Sequence, residues 1–401
     1  MEVNSRSSMT PGAGSPKGGR AALAILMACI VLILPVAIGC APAASPTPTK
    51  SPAAAVATPA KPPEAAVATP SPSQPKPAAT PTAPAKLVTA RYGDQSTVAN
   101  GPVYIAIEKG FFKDEGLDVQ LIPFASMPLT IAPLASGDLD ATGGTPTIAL
   151  INAIDRGLNL KIVSEKGSYT KGYSPGKVVI RKDLMDSGQV KEPKDAKGKK
   201  IAVSALQSGA ESIVAKFLKV GGLTVSDAEI VALGYPDMAA AFGNKSLDLA
   251  MMIEPTLSTV VDQGLVVPSS IDIATLYGGV APIAILFFGE QFTKNTDAAR
   301  KFAVGYIKGA RAYYDAFMKG KNKDEMITIL MKYTSIKDPA MYRKMEMIYI
   351  DPDGKMDLNA MKIDLDYFKA MGYYTGPLDI GGLVDRQFVD YAVQKLGPYS
   401  K

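Results

Sequence analysis

Histidine and tryptophan are both missing from the 401 residues, and cysteine occurs only twice, at Cys29 and Cys40. Without histidine there is no Ser-His or Cys-His nucleophile, no imidazole base, no His-ligated zinc and no axial-His haem. Two cysteines within the first 40 residues cannot build a thiolate metal site. Any chemistry would have to come from carboxylates, lysine, tyrosine or hydroxyls. The body also lacks a charge surplus. Of 43 basic and 38 acidic side chains, seven basic and two acidic fall in residues 1–86, which leaves 36 of each in 87–401. The net +5 belongs to the leader, so nucleic-acid binding is not expected.

Arg6, Lys17 and Arg20 precede an uncharged, mostly apolar run from Ala21 to Gly39 that ends at Cys40. A positive start followed by an apolar run reads as an export signal over 1–39. The run is also long enough to span a bilayer, so a retained anchor is the alternative. Ala37-Ile38-Gly39-Cys40 resembles a bacterial lipobox, with Ala37 where leucine is usual. That resemblance implies cleavage before Cys40 and a lipid on it. Either way the body is expected outside the cytoplasmic membrane, in the periplasm or at the cell surface, and tied to it. Residues 41–86 hold 13 prolines and no aromatic residue, and Ala-Ala-Val-Ala-Thr-Pro occurs at both 54–59 and 65–70. Such a segment buries too little apolar surface to offset chain entropy, so 40–86 reads as a lipidated Cys and a disordered Pro/Ala-rich tether.

From residue 87 onward, short β-rich runs alternate with helical stretches, which predicts an α/β fold. Strands are expected at Leu87–Arg91, Leu117–Pro123, Leu160–Ser164, Lys177–Arg181, Lys200–Ser204, Glu229–Leu233, Leu249–Ile253 and Ile283–Phe288. After Thr293 only helices follow. Asn100-Gly101-Pro102 opens a helix that closes at Gly110, and Ser126-Met127-Pro128 opens one that closes at Gly137. Thr145-Pro146 reads as a hydroxyl N-cap before a first-turn proline. Ser208-Gly209-Ala210-Glu211 spells a capping box, ended by Gly221-Gly222. Phe302, Tyr306, Ala310, Tyr313 and Phe317 form a core stripe at helical spacing.

Other motifs fail on spacing. Gly172 to Val178 has the look of a P-loop, but its glycines are too close and valine replaces Ser/Thr. Asp351-Pro352-Asp353-Gly354 starts like a calcium loop, yet Lys362 stands at the twelfth position, so a turn is expected. No cofactor or metal site is expected.

Four stretches carry a resemblance: GPVYIAIEKGFFKDEGLDVQ (101–120), LASGDLDATGGTPTIALINAIDRGLNLKIV (134–163), KDAKGKKIAVSALQSGAESIVAKFLKVGGL (194–223) and Ile253-Glu254-Pro255. In order and spacing over roughly 87–320 they resemble the nitrate/sulfonate/taurine-type substrate-binding proteins of ABC importers, a branch of the type 2 periplasmic binding fold. The resemblance implies two lobes joined by two crossover strands with a cleft between them: lobe 1 from 87–177 plus 289–401, and lobe 2 from 178–288. It implies a non-enzymatic, monomeric receptor that captures a small organic anion, zwitterion or heteroaromatic solute and delivers it to the membrane subunits of an ABC transporter. A surface sensor on the same fold is the alternative. Thiamine-pyrimidine-synthase-like enzymes share the architecture, but they use a histidine that this chain lacks.

Carried across position by position, the family's contacts fall on Asp94, Gln95 and Ser96, then on Gly144, Thr145 and Pro146, and then on Ser168 and Tyr169. In the second lobe they fall on Ser208, Gly209 and Ala210 and on Glu254 and Pro255, with Tyr235 as an aromatic wall. Helices starting at Thr145-Pro146 and Gly209 would turn free N–H groups and positive dipole ends toward the ligand. Glu254 is expected to face Thr145 across the cleft and to suit a ligand with a donor edge.

Overall fold

Val178-Val179-Ile180 and Leu249-Ala250-Met251-Met252 are buried throughout. Strands covered on both faces read as unbroken apolar runs and need helices above and below them. The computed structural model describes residues 86–400, in which such runs assemble into two five-stranded sheets. The export segment, Cys40 and the tether through residue 85 lie outside the described residues. Among the described residues no helix is long and apolar enough to cross a membrane.

In chain order the strands are β1 (Val88–Asp94), β2 (Leu117–Pro123), β3 (Ala141–Gly144), β4 (Leu160–Thr170), β5 (Gly176–Arg181), β6 (Lys200–Val203), β7 (Glu229–Ala232), β8 (Leu249–Ile253), β9 (Val266–Pro268) and β10 (Val280–Gly289). The first sheet has the order β2-β1-β3-β10-β4 and the second β7-β6-β8-β5-β9. β1 is parallel to β2 and β3, and β6 to β7 and β8. The antiparallel strands are β10, against β3 and β4, and β5, against β8 and β9. The chain therefore crosses between sheets twice, after β4 and again before β10. The sequence boundary at 288/289 falls at the far end of β10, whose residues 280–288 pair in the first sheet, not the second. An apolar run carries no sign of which sheet it will join.

Two strands had no readable signal. β3 is Ala-Thr-Gly-Gly, with little strand propensity of its own, and is held by β1 and β10 on either side. β9 ends in Pro268 at the edge of its sheet, where a missing N–H costs no ladder bond. β4 also runs six residues past the expected Ser164, through a buried polar stretch that sequence alone reads as the end of a strand.

The helices that position the site are α1 (Gly101–Glu108), α2 (Ile148–Asp155), α3 (Gly209–Val220), α4 (Thr256–Asp262), α5 (Thr296–Phe317) and α6 (Asn359–Ala370). Every member of the Phe302–Phe317 stripe on α5 is buried in the core of the first sheet. α5 lies so close to α1 that a Cβ at Gly309 would collide with the Pro102 carbonyl oxygen and stand 3.2 Å from the Ala106 Cβ. Gly309→Ala should therefore force the two helices apart and cost about 1–3 kcal/mol of stability. Denaturant unfolding measures this directly, and an unchanged midpoint would show that the helices do not meet this closely.

Candidate functional site

The carboxyl ends of β1 and β3 form one lip. Asp94, the last residue of β1, is buried, and its Oδ1 accepts from the Asn100 amide, from the Tyr104 hydroxyl and, at 3.2 Å, from the Ser96 backbone N–H. Its carboxylate thus ties the β1–α1 loop together. Ser96 is exposed, with φ of 54° in the left-handed region. The Gln95 amide donates to the Gly93 carbonyl and the Thr142 hydroxyl, both at 3.4 Å. Its Oε1 lies 4.0 Å from the place a Gly144 Cβ would take.

The expected cap at Thr145 is corrected. α2 begins at Ile148, and its N-cap is Thr147, whose hydroxyl accepts from Leu150 N at 3.3 Å. Thr145-Pro146-Thr147 offers two hydroxyls two residues apart, and only the second finds a free amide three residues on. Thr145 stays exposed. Its Cγ2 lies 3.6 Å from a Cβ built at Gly209, so the β3–α2 loop meets the start of α3 from the other sheet.

The second lip is less open to an anion than its sequence implies. Ser208 occupies the N-cap position of α3, but its hydroxyl donates to the Ala205 carbonyl and caps nothing. Glu211, 2% exposed, accepts from Gln207 N through Oε2 and from the Tyr367 and Tyr373 hydroxyls through Oε1. Ala210 packs beside the second core. Asp364 on α6 takes the Ser212 and Tyr277 hydroxyls at 2.6 and 2.7 Å and the Lys216 ammonium at 3.1 Å. Its other oxygen is 3.8 Å from the Gly209 Cβ position. Carboxylates thus already face the positive end of α3. α6 is bound to both lobes, since Met361, Leu365 and Phe368 join the core around Ile285 and Phe287 while Ala360 joins that of Ile213 and Phe217.

The remaining candidates are spread out. Ser168 is buried, donating to Glu165 Oε1 at 2.9 Å, and lines an open depression of about 600 Å³ with Tyr349, Asp351 and Lys355. Tyr169, 2% exposed, belongs to the second core, and burial pushes its phenol up. Tyr235 opens the helix Tyr235–Gly243 half-buried, its phenol also raised by burial. Glu254, just before Pro255, turns to its own helix α4. Its oxygens accept from Ser258 N at 3.0 Å and the Ser258 hydroxyl at 2.8 Å. It lines a separate depression of about 190 Å³ with Ser174, Lys177, Lys344 and Glu346. Thr145 lines neither depression, and the hydrogen bonds of the Glu254 carboxylate run to Ser258. A carboxylate followed four residues on by serine has a local partner and needs no ligand.

Sequence reading also passed over two charged residues in the middle of β4. Glu165 is buried, held by Ser168 and by Asp351 N at 2.9 Å, and burial pushes its carboxyl up to about 8. Lys166 is 1% exposed, and burial brings its amine down to about 7 against the pull of Asp94 and Glu165. The signal was there, since Glu165-Lys166 directly follows an apolar strand.

Two α/β sheets joined by two crossover segments define the periplasmic-binding-protein fold, and solved structures of that class superpose on this chain. The nitrate-binding protein NrtA of Synechocystis PCC 6803 does so with a TM-score of 0.63 and 16% identity, over 78% of this chain and 90% of its own. The aliphatic sulphonate-binding protein SsuA of Escherichia coli gives 0.59 at 17% identity, over 76% and 99%. A desulfurization enzyme, DSZB, shares the fold at a TM-score of 0.57 and 13% identity, over 77% and 99%. A relative from Brucella abortus (strain 2308), whose name calls it a binding protein, is 22% identical over 301 residues, 69% of this chain and 83% of its own length. The family model described as NMT1/THI5 like matches residues 98–316, and the chain belongs to that family.

Asp364→Ala should release α6 from the second lobe. The lost charge-assisted bonds are worth about 2 kcal/mol in total stability. Hydrogen exchange should quicken over 359–370 and leave β1–β3 unchanged. Unaltered exchange in α6 would mean that the polar clamp holds nothing.

Proposed function

We propose that the chain is a solute-binding receptor that works outside the cytoplasmic membrane and delivers a small organic solute to an ABC importer. The observation that carries this reading is the meeting of Thr145, on the β3–α2 loop of one sheet, with the start of α3 on the other. Loops at the carboxyl ends of parallel strands in two hinged lobes enclose a ligand between them. The nitrate- and sulphonate-binding neighbours and the binding-protein name of the Brucella relative support the same reading.

The desulfurization enzyme shows that the fold alone does not choose between binding and catalysis. The side chains favour binding. Asp94 and Glu254 are each engaged by neighbours in the same loop or helix, and the chain has no histidine to act as a base. Cys40 would carry the lipid that ties the receptor to the membrane, and the proline-rich tether would give it reach.

A thermal-shift panel of sulfonates, carboxylates, pyrimidines and amines on the full chain tests the receptor. A solute at a hundred times its Kd stabilises by about 2.7 kcal/mol, which raises the melting temperature by several degrees. Absence of any response across the panel would overturn the reading. Separately, Cys40→Ala should abolish incorporation of labelled fatty acid. Unchanged processing and membrane attachment in that variant would favour the retained anchor.

A further inference from the structure

With Glu211 and Asp364 at the start of α3, the second lobe is a poor seat for negative charge. The first lobe holds a buried cation, Lys166, beside Asp94 and Glu165. Lys166 is 1% exposed, yet among the described residues its ammonium has no hydrogen-bond acceptor and no carboxylate within ion-pair distance. Among the described residues, every buried side-chain polar atom sealed from solvent has a hydrogen-bond partner. The Lys166 ammonium has none, so it meets open space.

The stem fixes where that space lies. Its Cδ and Cε lie where a Cβ at Gly143 would stand, and the Tyr92 hydroxyl is 2.9 Å from the same point. Gly143 is thus glycine because the lysine passes over it. Asp94 and Glu165 are the carboxylates that pull on the amine, and neither forms an ion pair with it. The Oδ1 of Asp94 is taken by Asn100, Tyr104 and the Ser96 N–H. A buried ammonium without a partner is costly unless something charged comes to it.

The geometry points to Lys166 as the cationic anchor, at the carboxyl ends of β1 and β3, for the acidic end of a small organic oxyanion. This rests on the receptor reading above and narrows it. The anion is held by a buried amine of the first lobe, and the α3 helix end of the second lobe closes over the remainder of the solute.

The test uses the full chain with ethanesulfonate, propanoate, propanamide and propylamine as probes. Ethanesulfonate or propanoate should bind, and Lys166→Met should weaken that binding about ten- to a hundredfold, as expected for loss of a charge-assisted bond. The wild-type chain gives a second readout that needs no variant. The bound anion should shield Lys166 from acetylation by acetic anhydride, mapped by mass spectrometry. If Lys166→Met fails to fold, the shielding decides. Affinity within threefold of wild type, or equal acetylation with and without the anion, overturns the anchor. Binding of propanamide or propylamine alone overturns it too and leaves the receptor standing. Binding of no probe, with no response in the wider panel either, overturns both.

Discussion

The pairing of β4 with β10 is the contact on which the two-lobed arrangement depends. The chain leaves the first sheet after β4 and returns along β10, and the two strands run antiparallel from Leu160–Gly289 to Thr170–Val280. The ladder slips in register three times, between Pro282 and Ala284, Ala284 and Ile285, and Leu286 and Phe287. Irregularities of this kind bend and twist a strand pair. Here they turn Glu165 and Lys166 into the protein while the ladder continues toward the second sheet. One pair of strands therefore sets both the relation of the lobes and the position of two buried charges.

A third connection is noncovalent. α6 comes from the C-terminal part of the chain, packs its apolar side on the first sheet, and presents Asp364 and Tyr367 to α3 of the second. Burial lowers the Lys216 amine, and the Asp364 carboxylate opposes that fall. Surface ion pairs such as Lys182–Asp186, both side chains about half exposed, contribute little beside this. The lobes are thus clasped by hydrogen bonds to a buried carboxylate, Glu211, and a half-buried one, Asp364.

Much of the fold was legible because buried strands repeat a simple rule. Leu249–Ile253 stands where its apolar run puts it, Leu117–Pro123 where its apolar–polar alternation does, and the α5 stripe is core as its spacing implies. The candidate site was harder, for reasons that are physical. Thr145 and Thr147 are chemically equal as caps, and only the backbone path chooses between them. Glu254 is at its expected position in the chain, but the direction of its side chain is set by Ser258 one turn on. Lys166 was missed because a charged residue in a strand reads as exposed, and its side chain is covered through a contact with Gly143 on another strand.

The two lobes handle charge by different means, and this constrains how the cleft could work. At α3 the positive helix end is compensated from within by Glu211 and Asp364, so the empty protein carries no electrostatic debt there. On β4 the compensation is left incomplete. Burial lowers the Lys166 amine to about 7, the mark of a charge that the empty protein accommodates poorly. The lysine stem passes over Gly143 of β3, beside the Tyr92 hydroxyl, and so is held where it is by close packing. Stability given up in the empty state returns as affinity when an opposite charge enters, because the penalty of the unpaired ammonium is already present before binding. A helix end that is already satisfied has no such reserve, which places the discriminating charge on the first lobe and the closing surface on the second.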